Sequence, residues 1–321
     1  MRRRGILGTA LALPFAIPAA RAQDARPIRL VIAFPAGGPT DVIGRLVAEK
    51  MARALGQTVV VENRGGANGN IAAEAVARAE ADGSVLLYNT SSIAISRALY
   101  RRLSYDLLRD LAPVALTASA PSLLVADPRL PVRNAAEFIA WARANSGKIS
   151  YGSGGVGNVS HLQAFMVMRH IGAEATHVPY RGTAAALTDV AAGNVQFMSD
   201  AFNTALPQAR DGLVRAIAVS SLARAPLLPE VPTMAETGLM PPGSDTGIWQ
   251  GIMAPARTPP EAIARLNGAV NSALRDEEVR KRLAAMGATP SGGTAGDYAR
   301  YLAAEVALWA RVVQESGATA E

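Results

Sequence analysis

The chain has 321 residues, half of them hydrophobic and 18% charged, with 29 Gly, 20 Pro and no Cys. At roughly 100–200 residues per domain, this length predicts about two domains with a core in each, and the apolar fraction excludes a disordered or collagen-like chain. The absence of Cys removes thiol nucleophiles, thiolate metal sites and disulfides. Three His (His161, His170, His177) with no i, i+4 pair leave little for zinc, and 5% aromatic residues argue against stacking platforms for single-stranded nucleic acid.

The N-terminus reads as a signal peptide over residues 1–22. Arg2, Arg3 and Arg4 form a basic region, Gly5 to Ala20 an apolar one, and Ala20-Arg21-Ala22 a small-x-small cleavage site. A membrane anchor is the weaker reading, because the apolar run falls short of the roughly 20 residues a span needs and contains Pro14 and Pro18. Arg3-Arg4-Gly5-Ile6-Leu7 also loosely fits a twin-arginine signal, so the export route stays open. Cleavage after Ala22 removes four Arg and takes the formal charge from +6 to +2, which removes the case for a nucleic-acid partner. The mature product is expected to be exported.

From Ile28 to Phe34 a β-branched apolar run suits a strand buried on both faces. Pro35-Ala36-Gly37-Gly38-Pro39 breaks it, a helix opens near Thr40 and ends at Gly56, and Thr58 to Val61 is the next strand, the unit of a parallel sheet. Helices are predicted over 70–81 and 92–99, strands over 85–89 and 122–126, and a helix over 134–144. Ile149 to Tyr151 is a strand, Gly152 to Gly157 a loop, and Val159 to Ile171 a helix. Strands follow at 176–178, 195–198 and 215–219 with helices between them, then another at 248–253, and everything from Pro259 onward is predicted helical. This alternation predicts an α/β protein whose chain crosses between two units near Ser122 and again near Trp249.

Two glycine-rich turns, each after a strand and before a helix, carry the chemistry: Phe34-Pro-Ala-Gly-Gly-Pro-Thr-Asp41 and Tyr151-Gly-Ser-Gly-Gly-Val-Gly-Asn158. Unpaired N–H groups and the helix dipole favour an anion at such a turn, and glycine lets it approach the backbone. Glycine with a Thr or Asp cap explains one turn without any ligand; two in facing halves favour a site gripping a small anion from both sides. Gly152 to Gly157 also fits G-x-G-x-x-G, but the strand ending at Val178-Pro179-Tyr180-Arg181 offers no acid for a ribose. No P-loop lysine follows either turn, and Tyr151 stands where a nucleophile elbow around Ser153 would need glycine. His161, one turn into its helix, is a candidate ligand donor or base, whereas His170 and His177 read as structural or exposed. Asp41, Asp189 and Asp200 sit where capping accounts for them.

Both turns, together with Val61-Glu-Asn-Arg-Gly-Gly-Ala-Asn-Gly69, Asp82-Gly-Ser-Val-Leu-Leu87, Gly152 to Leu162, Val178-Pro-Tyr-Arg-Gly182 with Ala186-Leu-Thr-Asp189, and Leu228-Pro-Glu-Val-Pro-Thr233, resemble the substrate-binding proteins of tripartite tricarboxylate transporters, the Bug family of periplasmic receptors. The resemblance runs from about Pro27 to Gly317. It implies a two-lobed, periplasmic-binding-protein-like α/β fold (type II, flytrap), with residues 27–122 and 249–321 in one lobe and 123–248 in the other. It also implies a small organic carboxylate in the cleft and transporter membrane subunits as partners, with no cofactor and no metal. By position, its first-lobe contacts are Phe34, Ala36, Gly37, Gly38, Thr40 and Asp41. Its second-lobe contacts are Ser153, Gly154, Gly157, Asn158 and His161, with Arg181, Gly182 and Asp200 near the cleft. Glu62-Asn63-Arg64 is read as bracing the glycine turn that follows it, and Asn158, Gln163-Ala-Phe165 and Gln196 depart from the family's usual residues. The expected protein is a monomeric binding protein, not an enzyme. Its alternatives are a sensing receptor of the same fold signalling to a kinase and, from another class, a nicotinamide-dependent or hydrolytic enzyme.

Overall fold

The computed structural model describes residues 26–320, so the signal peptide expected over residues 1–22 lies outside the described residues. In chain order come β1 (Ile28–Ile32), α1 (Pro39–Leu55), β2 (Val59–Asn63), α2 (Asn70–Ala77), β3 (Val85–Thr90), α3 (Ser92–Leu99), α4 (Leu107–Asp110) and β4 (Leu111–Ala120). The chain then enters a second sheet through β5 (Ser122–Ala126), α5 (Ala135–Ala144), β6 (Ile149–Ser153), α6 (Val159–His170), β7 (Ala175–Pro179), α7 (Thr183–Ala192), β8 (Phe197–Ala201), α8 (Phe202–Arg210) and β9 (Arg215–Val219). It returns on β10 (Ile248–Pro255), followed by α9 (Pro260–Arg275), α10 (Glu277–Ala285), β11 (Thr289–Gly292) and α11 (Ala295–Ser316). The sheet orders are β11-β4-β10-β3-β1-β2 and β7-β6-β8-β5-β9, one sheet in each lobe.

The buried strands read as continuous apolar runs because each sheet is covered on both faces. Leu30 and Ile32 of β1 pack with Ile43, Val47 and Met51 of α1, while Val31 between them packs with Ala72, Ala73 and Val76 of α2. In β5, Leu124 and Ala126 face the cluster around Phe138 of α5, and Leu123 and Val125 face Val190 of α7 and Leu206 of α8. Each Val, Leu, Ile, Phe or Met side chain among these contributes about 1.5–3 kcal/mol by burial. Gly56 ends α1 in the left-handed conformation (φ 61°), its N–H turned back to the last carbonyls.

The lobes are joined by two neighbouring crossovers. Pro121 links β4 to β5, and the return segment reaches β10 alongside it. Ser220 N–H donates to Ser122 O (2.9 Å), the Ser122 N–H donates to Ser220 Oγ (2.8 Å), and Ile248 pairs with Ala120.

Four readings of the sequence need correction. The sheets are mixed: β1, β2 and β3 are parallel, but β10 runs antiparallel to β3 and β4, and β5 antiparallel to β8 and β9. The stretch after Pro259 is not all helical, since Thr289–Gly292 is an edge strand on β4. Its four residues carry no apolar alternation, so pairing across the sheet makes the strand. β4 itself, ten residues long, gave no signal: Pro113 interrupts it, and a register shift against β10 absorbs the proline. The helix predicted over 70–81 also stops at Ala77. Among the described residues, no helix is long and apolar enough to cross a membrane.

Candidate ligand-binding site

Because β1, β2 and β3 are parallel, their carboxyl ends lie on one edge of the first sheet, and the chain leaves each of them toward a helix start. Open α/β sheets bind ligands at such an edge. At β1 the exit is the first glycine turn. Gly37 adopts φ 83°, Gly38 is the cap residue and Pro39 opens the helix. Thr40 and Asp41, in the first helical turn, have N–H groups with no intrahelical acceptor. Phe34 is half-buried, while Ala36 and Gly37 are exposed.

Asp41 is not a free carboxylate in this site. It is buried and accepts the Gly37 N–H (2.9 Å), Arg45 Nε (2.9 and 3.0 Å) and Asn63 Nδ2 (2.8 Å). Burial pushes its carboxyl upward, but the Gly37 N–H, Arg45 and Asn63 outweigh that and hold it below its ordinary value. Asn63 also donates to Phe34 O (3.0 Å) and accepts from Arg45 Nη2 (2.8 Å). The end of β2 thus braces the earlier glycine turn rather than the one that follows it, and Asp41 shapes that turn instead of lining it.

The second turn is held by its own side chains. Asn158 caps α6 by accepting from Ser160 N–H (3.0 Å) and Ser160 Oγ (2.9 Å). Gly154 N–H donates to Ser160 Oγ (3.0 Å), Gly155 N–H to Ser153 Oγ (3.1 Å) and Gly157 N–H to His161 Nδ1 (3.1 Å). The glycine N–H groups expected to face a ligand are therefore engaged inside the turn, which leaves the first-turn N–H groups of Val159 and His161 as the donors of α6. Ser153 is fully buried, and a Cβ at Gly154 would lie 2.8 Å from Thr183 Cγ2.

His177, read from the sequence as structural or exposed, belongs to this cluster. Its Nε2 lies 2.6 Å from Ser153 Oγ, and its ring stacks on His161 with centroids 3.7 Å apart. Tyr151 stacks on His177 (5.1 Å) and on Phe197 (5.6 Å). No local motif announces this; only the β6–β7 register, which sets Tyr151 beside His177, brings them together. Burial, with His177 alongside, pushes His161 down to about 4, and burial also lowers His177. With Nδ1 accepting from Gly157, neutral His161 carries its proton on Nε2. That leaves no basic nitrogen for activating a serine, so the reading of His161 as a base fails.

Beside the turn, Gly182 (φ 106°) precedes α7 and Arg181 is exposed, with no carboxylate partner among the described residues. Asp200, next to last in β8, is almost fully buried and accepts from Ala201 N–H (2.8 Å) and Thr204 Oγ1 (2.7 Å). Burial raises its carboxyl above the ordinary value despite these donors. The two turns border one apolar cluster, in which Phe34 packs against a group containing Leu99, Val159 and Leu162. A groove of about 860 Å³ between α1 and α10 lies outside this region and is walled by Arg45, Glu49, Glu277, Glu278, Lys281 and Arg282, whose mixed charges select no anion. Among the described residues, no three His, Asp or Glu side chains are grouped to hold a metal ion.

Residues 43–318 match the family model described as "Tripartite tricarboxylate transporter family receptor". The chain is 37% identical to protein BugT of Bordetella pertussis over 296 residues, covering 92% of this chain and 90% of that one. Among solved structures, Rpa4515 of R. palustris with adipate superposes with a TM-score of 0.79 at 36% identity, covering 92% of this chain and 99% of that one. MatC of Rhodopseudomonas palustris with bound malate gives 0.75 at 35% identity, covering 90% and 99%. With the family model spanning most of its length and the two-lobed α/β fold shared, the chain belongs to the tripartite tricarboxylate transporter receptors, the family of the Bug proteins.

Proposed function

We propose that the protein is a periplasmic solute-binding protein that captures a small organic carboxylate between its lobes and hands it to the membrane subunits of a tripartite transporter. The observation that carries this is the pair of glycine turns before α1 and α6, from opposite lobes, with Phe34 of the first and Val159 just after the second joined to one apolar cluster. Each offers N–H donors and a helix dipole to an anion without a lysine or arginine in the turn. Relatives solved with adipate and with malate support the carboxylate class. The lobes comprise residues 27–121 with 248–321, and residues 122–247, one residue from the expected boundary at each crossover, because β5 opens at Ser122 and β10 at Ile248. The ligand is met by Phe34, Ala36, Gly37, Gly38 and Thr40 from one side and by Asn158, Val159, His161, Arg181 and Gly182 from the other, with Gly154 held inside its turn. Asp41, Ser153, Gly157 and Asp200 hold those groups in place.

A thermal-shift screen over mono-, di- and tricarboxylates and aromatic acids tests the reading. A carboxylate at 100 times its Kd stabilises the fold by about 2.7 kcal/mol. No shift with any acid, in a protein that melts cooperatively, overturns it.

A further inference from the structure

The lobes meet at two places where a glycine of one receives an apolar side chain of the other. At the first, Gly157 of the second turn (φ 71°) sits on Leu99, the last residue of α3, and a Cβ built at 157 would overlap both Leu99 methyls. At the second the roles reverse: Gly287 (φ 69°), between α10 and β11, faces the ring of Phe202, where a Cβ would lie 2.8 Å from Cε1. Phe202 donates its N–H to Pro121 O (3.1 Å), so the second contact lies beside the crossover. Leu99 is fixed from behind, since Ala320 N–H donates to its carbonyl (2.9 Å) and its side chain is buried. Gly157 is fixed too, through its N–H to His161.

The geometry points to Leu99 as a positioning residue for ligand capture: seated on the bare backbone of Gly157, it sets how closely the second turn approaches the first lobe. Leu99 lies outside every group assigned to the ligand, and it acts by populating the closed state. The inference rests on the capture reading above. A ligand's apparent affinity falls in proportion to the fraction of protein in the binding-competent state, so a residue that only keeps the lobes together governs binding without touching the ligand. Any side chain at 157 holds the lobes apart, and shortening residue 99 makes room for it.

The chain has no Cys, so spin labels at Arg53→Cys on α1 and Thr188→Cys on α7, both exposed, report the distance between lobes without background. In the unliganded protein, Gly157→Ala lengthens that distance by several Å, Leu99→Ala broadens its distribution, and the double variant returns toward wild type. Gly155→Ala is the control for backbone strain: Gly155 also has positive φ (130°), but a Cβ there meets only Tyr180 O at 3.6 Å, in its own lobe. It leaves the distance unchanged. With adipate and malate as probes, Gly157→Ala weakens whichever acid the wild type binds by about tenfold, and adding Leu99→Ala recovers part of the loss. A Gly157→Ala distance equal to wild type, or a double variant no better than Gly157→Ala, overturns the assignment. Should Gly157→Ala fail to fold by circular dichroism, Leu99→Ala and Leu99→Val decide alone, and unchanged distances and affinities in both overturn it. Because the distances are read without ligand, failure of both acids to bind strikes the carboxylate reading and leaves the lobe contact to be judged on its own.

Discussion

The stacked pair of His161 and His177 makes stability depend on pH in a defined direction. His161 sits near 4 in the folded state against about 6.5 when unfolded. Above pH 6.5 neither state takes the proton, and the pair costs nothing. As pH falls from 6.5 toward 4, the unfolded chain binds a proton that the folded chain refuses, so stability is lost through that window, by up to about 3 kcal/mol. Protonation of Nδ1 also removes the acceptor for the Gly157 N–H and places a cation at the start of α6, where the helix dipole opposes it. His161→Asn keeps an acceptor near Nδ1 and removes the titration. Urea melts at pH 7 and pH 4.5 should therefore show a smaller pH dependence in the variant, and equal slopes would dismiss the mechanism. Asp41 teaches a related lesson. Its place in a glycine turn was legible, but its partners Arg45 and Asn63 come from one helical turn further on and from the next strand, and only the fold discloses them.

α11 is tied to the returning strand by one buried carboxylate. Glu305 Oε2 accepts from Trp249 Nε1 of β10 (2.7 Å) and from Trp309 Nε1 of its own helix (2.9 Å), and burial raises its carboxyl above the ordinary value. Glu305→Ala leaves two buried indole N–H groups without acceptors, a loss of about 1–3 kcal/mol for each. The expected result is a protein destabilised by a few kcal/mol with altered tryptophan fluorescence, and an unchanged Tm and emission would show the tie to be dispensable. Helices such as α11 and α1 were readable because their apolar residues recur at helical spacing and end at glycine. β1 and β5 were readable because both faces are covered. β4 and β11 were not, since proline interrupts one and the other is four polar or small residues that exist as a strand only against a neighbour. His177 stayed hidden for the same reason: strand register, which a single sequence does not display, carries it to Ser153.

Two crossovers lying side by side have a consequence for how the protein can be cut and joined. Everything between Ser122 and Ile248 is a loop-like insertion into the first sheet, and it leaves and re-enters at neighbouring positions, since Ala120 pairs directly with Ile248. Its own strands form a complete sheet with apolar clusters on both faces. A short glycine-serine bridge from Ala120 to Ile248 should therefore yield a first lobe that keeps β4 beside β10, while the excised segment 122–247 keeps β5 between β8 and β9. Both pieces should show cooperative melting, and an excised segment without a thermal transition would mean that it depends on the apolar surface of Leu99 and its neighbours to fold. The same arithmetic of adjacent ends makes the two halves exchangeable: a graft needs only two seams, and both fall where backbone already meets backbone in register.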